Sequence, residues 1–91
     1  MAMITVWQKI DEASVVQALQ DTGGKLDGAD SEVVLDFSSV NRIDASGLMA
    51  LEQFANKADD KSVKVALQGV NVSVYKVLKL MKLAPRFAFV D

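Results

Sequence analysis

The residues best suited to chemistry lie in one short stretch, Ile43-Asp44-Ala45-Ser46-Gly47-Leu48. There an aspartate precedes a serine by two positions, just where an apolar pattern of helical spacing begins. An aspartate so placed is a helix N-cap, its carboxylate accepting a backbone N–H from the first turn. Ser46 then falls on that first turn. Helix starts present unpaired N–H groups and the positive end of the helix dipole, so a hydroxyl here sits where a phosphate is well tolerated. Ala45 and Gly47 are small and are expected to leave space around it. Local chemistry alone also allows a plain helix-start serine making one backbone hydrogen bond.

Composition removes most other chemistry. The chain has 91 residues and contains no cysteine and no histidine. Thiolate and disulfide chemistry are therefore absent, as are the usual general base near neutral pH and the commonest metal ligand. A small enzyme is accordingly disfavoured, and no catalytic residue, metal site or cofactor is expected. Gly23-Gly24-Lys25 does not form a phosphate loop, because the upstream glycine is missing and Leu26 stands where Ser or Thr is required. The formal charge of −2, without a clustered basic surface, points away from nucleic acid. No apolar run approaches the roughly 20 residues of a membrane span, so membrane insertion is not expected. The start lacks the long apolar core of a signal peptide. A cytoplasmic location is the simplest expectation.

Length and pattern predict one small domain over residues 1–91, with 51% hydrophobic residues to build its core. Residues 3–10 alternate as a strand, with Ile4 and Val6 on one face and Thr5, Trp7 and Lys9 on the other. Residues 11–26 form a helix with Asp11 as N-cap; the two glycines set its end near Thr22, whereas Leu26 continues the apolar stripe. Residues 27–32 are an acidic loop. Residues 33–37 are an apolar central strand, followed by a polar turn and a helix over residues 44–60. In that helix Leu48, Leu51, Phe54, Ala55 and Ala58 form the buried arc, while Ser46, Met49, Ala50, Gln53 and Lys57 form the outer face. A strand over residues 63–67, a helix to about Leu83 capped by Asn71 or Ser73, and a last strand over residues 87–90 complete the chain. Val74, Val77, Leu78 and Met81 are expected inside, and Ala84-Pro85 is expected to end the last helix. Strands alternating with helices predict an α/β fold with a small, mostly parallel (mixed) sheet of about four strands and right-handed crossovers.

Other polar positions have ordinary explanations. Asp36, Ser38 and Ser39 lie where a strand ends, a place where α/β partners and ligands gather, but also a place for a simple Asx or Ser turn. Lys76, Lys79 and Lys82 read as a solvated helix face, and Asp59-Asp60-Lys61 as solvated charges.

The segment VVLDFSSVNRIDASGLMAL, residues 33–51, resembles the signature of the STAS domain of anti-sigma-factor antagonists. VKVALQGV, the helix holding Val74, Leu78 and Met81, and the terminal FAFVD are similar as well. The resemblance implies a regulatory binding module, not an enzyme. It implies that Ser46, the residue just before Gly-Leu, is phosphorylated. It also implies that the strand edge at Asp36 and Ser38 borders the partner surface, to which Asp44, Ser46, Gly47 and the outward-facing Met49 and Gln53 are read to contribute, a methionine suiting an adaptable interface. The partners so implied are an anti-sigma factor or serine kinase, with a phosphatase that resets the switch. STAS domains usually open with two strands and this chain has room for about one, so its N-terminal strand is an exposed edge and a route to a homodimer. A second reading rests on LQGVNVSVYKVLKLMKL, which is similar to a stretch of the cytoplasmic STAS accessory subunits of lipid-transporting ABC systems. In that role the same surface binds an ATPase subunit and Ser46 need not be modified.

Overall fold

A computed structural model describes residues 4–26 and 31–90. Residues 27–30 of the expected acidic loop, and Met3 of the expected first strand, lie outside the described residues. The elements are β1 (Ile4–Lys9), a 3-10 turn (Glu12–Ser14), α1 (Val15–Gly23), β2 (Ser31–Asp36), α2 (Ala45–Asp60), β3 (Lys64–Gln68), α3 (Val72–Leu80), a second 3-10 turn (Ala84–Arg86) and β4 (Ala88–Val90).

The sheet has four strands in the order β1-β2-β3-β4, and every pair is parallel. The register sets Val6 beside Val33 and Val33 beside Val65, with Leu35 beside Leu67 in the neighbouring row. Right-handed crossovers between strands that follow one another across a sheet place every helix on the same side. The core lies there. Val33, Leu35, Phe37, Val65 and Leu67 from the sheet meet Leu19 of α1, Leu51 and Phe54 of α2, and Val74 and Leu78 of α3 in one buried cluster.

Three expectations shift. The first helix is divided: Asp11 precedes a 3-10 turn and makes no side-chain cap, and α1 itself ends at Gly23. In α2 the buried arc is turned toward α1. Ala50, expected outside, is 8% exposed, Gly47 is buried, and Leu48 is only half-buried. The cause is that α2 packs on α1 as well as on the sheet: Ala50, Gln53, Phe54 and Lys57 line a crevice with Leu19, Gln20 and Gly23. Met81, expected in the core, is 57% exposed, and Val77 is half-buried. The reason is the helix end. Lys82 adopts a left-handed φ of 59°, and the Leu83 N–H donates to Leu78 O at 2.8 Å, so Leu83 takes the buried place. The chain stops being helical before Pro85, which sits in the second 3-10 turn. α2 ends in the same way, with Ser62 at φ 57° and Val63 N–H donating to Ala58 O at 2.8 Å.

Candidate functional site at the start of α2

β2 delivers the chain to the C-terminal edge of the sheet, and everything that holds Ser46 is built from there. The Phe37 N–H donates to Gln68 O at 2.8 Å, extending the ladder one residue past β2. Phe37 and Val40 are fully buried and anchor the two ends of a turn closed by Val40 N–H to Phe37 O at 2.9 Å. The polar residues between them are pushed outward, leaving Ser38 and Ser39 exposed.

Asp36 organises the start of this turn. The Ser38 hydroxyl and the Ser38 N–H, the latter at 2.9 Å, both donate to its carboxylate and hold its pKa below the ordinary value of 3.8. That is an Asx turn, a structural role for both residues. The next turn backs onto it: a Cβ on Gly69 would stand 3.0 Å from Ser38 Cβ, and Gly69 has a left-handed φ of 68°. Glycine is needed there both for its conformation and for the close approach.

Residues 41 and 42 are held by a group far away in sequence. Both the Asn41 and the Arg42 N–H donate to Glu12 Oε1, each at 2.8 Å. The Asn71 side-chain amide adds a longer bond to Asn41 O, at 3.4 Å. Glu12 was not singled out by the sequence, because an acidic residue in an N-terminal polar stretch carries no sign of a partner 29 residues on.

Asp44 is the N-cap, as its position predicts. Its backbone is extended, with φ −93° and ψ −179°, and its carboxylate accepts the Gly47 N–H at 2.8 Å. Ala45 and Ser46 follow on the first turn, both exposed. Met49 is 62% exposed, and Gln53 one turn further is exposed too. Gly47 behaves differently from the expectation that it clears space for Ser46. It is buried, and a Cβ there would lie 2.8 Å from Ile43 Cγ1 and 3.3 Å from Asp44 Oδ1. The glycine admits the Ile43 side chain and the capping carboxylate on the inner side of the helix, while Ser46 projects on the outer side.

The structure therefore brings Asp44, Ser46, Met49 and Gln53 together on the start and outer face of α2. Asp36 and Ser38 stand at the preceding turn, and Gly47 supports the site from beneath. A shallow groove of about 500 Å³ runs beside it, lined by Glu12, Ser14, Val16, Arg42, Ile43 and Asp44 among others. Among the described residues no group of three or more His, Cys, Asp or Glu could hold a metal ion, and no helix is long and apolar enough to cross a membrane.

Comparison with known proteins agrees with this arrangement at the level of fold. A sulfate transporter family protein from Wolinella succinogenes superposes with a TM-score of 0.82 at 19% identity, over 96% of this chain and 76% of that one. A candidate anti-sigma factor antagonist from Thermotoga maritima gives 0.71 at 18% identity, over 96% and 79%. An anti-sigma-factor antagonist (STAS) domain protein from Planctomyces limnophilus gives 0.72 at 18% identity, over 90% and 72%. No curated protein matches the sequence. The STAS domain model, a regulatory or binding fold, matches residues 1–91, and the chain belongs to the STAS domain family.

Proposed function

We propose that this chain is a regulatory binding module of the anti-sigma-factor-antagonist kind, switched by phosphorylation of Ser46. Unmodified, it docks on an anti-sigma factor or related serine kinase through the start of α2 and the turn before it. A phosphatase restores the binding form. The observation that carries the reading is the pairing of an exposed Ser46 on a capped first turn with an exposed Met49 on the same face. A flexible, polarizable methionine suits an adaptable protein interface, and a phosphate beside it changes the charge of that interface by about −1.5 to −2.

The chemistry supports a change in binding rather than in folding. The helix dipole favours an anion on the first turn by roughly 0.3–1 kcal/mol at an exposed site. The Asp44 carboxylate is committed to Gly47 N–H and remains as a neighbouring negative charge. In water these effects are small, but against a partner surface the two negative charges are partly desolvated and oppose association.

The test is incubation with the cognate kinase and ATP, followed by mapping of the modified residue by mass spectrometry. Phosphate on Ser46 is expected. Phosphate on Ser38, Ser39 or Ser73 with Ser46 untouched overturns the proposal.

A second reading, an accessory subunit of a lipid-transporting ABC system, draws on α3. Its outer side exposes Val72 (69%), Leu80 (81%) and Met81 beside Lys76, Lys79 and Lys82, a surface fit for an acidic partner protein. Under that reading Ser46→Asp binds an ATPase subunit as well as the parent does.

A further inference from the structure

Because all the helices pack on one side, the other face of the sheet is left without cover among the described residues. The register defines what that face presents. Its middle row is Trp7, Val34, Ala66 and Ala88, contributed by β1, β2, β3 and β4 in turn. Toward the N-terminal end of the strands Glu32 stands beside Lys64. Trp7 is 55% exposed and Val90 46% exposed. The Trp7 indole N–H donates to Gln68 Oε1 at 3.1 Å, so the ring reaches from β1 across β2 to β3 and forms an apolar plate over the sheet. Parallel sheets are usually covered on both faces, and a tryptophan laid over such a face is a large area of apolar surface facing solvent.

We propose that this face packs against the same face of a second copy of the chain, in a twofold dimer whose axis runs along the strands. Two arrangements bring identical sheet faces together by a twofold axis lying between them while keeping the strands of the two sheets nearly in line, the common geometry for packed sheets. If the axis runs across the strands, each strand lies over its own copy reversed about the middle row. Glu32 then faces Asp36 of the second copy, and like charges meet. If the axis runs along the strands, β1 lies over β4 of the second copy and β2 over its β3. Glu32 then faces Lys64 of the second copy, and Lys64 faces its Glu32. In the middle row Val34 meets Ala66 and Trp7 meets Ala88, a large side chain against a small one in each case. Charge and size thus both favour the second arrangement. Such a contact is isologous and closed, and does not propagate into a fibre. It leaves α2 on the outside of the dimer, with Ser46 and Met49 free on both copies, so one dimer presents two docking faces.

The experiment is sedimentation velocity together with the emission of the chain's one tryptophan, followed over a dilution series. The parent is expected to form a reversible dimer with Trp7 emission shifted to the blue. Glu32→Lys and Lys64→Glu should each weaken the dimer by about tenfold or more, since each sets like charges opposite one another. Circular dichroism checks that each variant is folded. Mixing the two separately folded variants should restore a dimer, because every Glu32–Lys64 contact is then opposite in charge again. That recovery comes only from contact between copies, not from pairing within one sheet. A parent that stays monomeric over the whole accessible range overturns the proposal. So do single variants that dimerise as the parent does, which would indicate pairing through the β1 edge, and a mixture that fails to recover.

Discussion

The starts of α2 and α3 are built on one plan, yet their surroundings differ. Each helix begins at the C-terminal end of a strand, with an extended capping residue whose side chain accepts the N–H three residues on: Asp44 from Gly47, Asn71 from Val74. Each carries an exposed serine at the same helical position, Ser46 and Ser73. The neighbours differ. Three residues after Ser46 comes Met49, and three residues after Ser73 comes Lys76, both exposed and on the same side as their serine. A phosphate on Ser73 would find a cation beside it and a neutral cap, and so would be compensated. A phosphate on Ser46 would find a carboxylate and a thioether, and so would stand as net negative charge. A helix start makes a phosphate tolerable. The residues one turn away decide whether that phosphate alters a surface.

The comparison can be broken most severely at the glycine the two starts share. Gly69 precedes α3 and presses on Ser38, which precedes α2. Gly69→Val should cost about 2–3 kcal/mol, from the left-handed backbone and the crowding of Ser38 together, measured by urea unfolding. A loss below about 0.5 kcal/mol would mean that the two turns are not tightly coupled.

Glu12→Ala should next separate the two starts. It removes the acceptor for Asn41 and Arg42 N–H, and should cost about 1–2 kcal/mol at this exposed position. Faster amide exchange should appear at residues 41–47 while the first turn of α3 stays protected. Equal loss of protection at both helices would refute a local role for Glu12.

Ser46→Asp should weaken partner binding by about tenfold or more, near 1.4 kcal/mol, with a melting temperature close to the parent's. Ser73→Asp should leave binding as it was. Equal losses from the two substitutions would dissolve the distinction between the sites. Exchange of the caps is a smaller effect. Asp44→Ala and Asn71→Ala should each cost about 1 kcal/mol, because the two bonds have the same geometry.

The smallest expected effect is one of pH. The lowered pKa of Asp36 means that its charged form is favoured by folding. Its contribution is fully present above the ordinary value of 3.8 and is lost as the pH falls from there through the lowered folded value. Asp36→Asn should flatten that part of the stability–pH curve and leave the neutral region unchanged in slope. An unchanged acid limb would mean that the Ser38 contacts do not distinguish the charged carboxylate.

Local features were legible in the sequence because their causes lie within a few residues. Asp44 and Asn71 cap helices over a span of three residues, and the apolar run from Val33 to Phe37 marks a buried strand. The outward position of Ser46, Met49 and Gln53 follows from helical phase measured against Leu51 and Phe54. Other features depend on what packs from elsewhere. Ala50 is inside because α1 lies against α2, and a one-helix periodicity contains no second helix. Met81 is outside because Leu83, reached through a left-handed Lys82, takes its place under the sheet. Gly47 looked like room around Ser46 and proved to be room for Ile43. Glu12 binds two amides across a separation that no local pattern encodes.

What this sequence determined by itself was a set of strands and helices, their caps, and one serine on a first turn, because those follow from nearest-neighbour sterics and periodicity. Only the tertiary structure decided the order of the strands, the single-sided placement of the helices and hence the open face bearing Trp7. It also clamped the loop ahead of α2 with Glu12. Those outcomes depend on which distant surfaces exclude water together, and that exclusion acts on the folded chain as a whole.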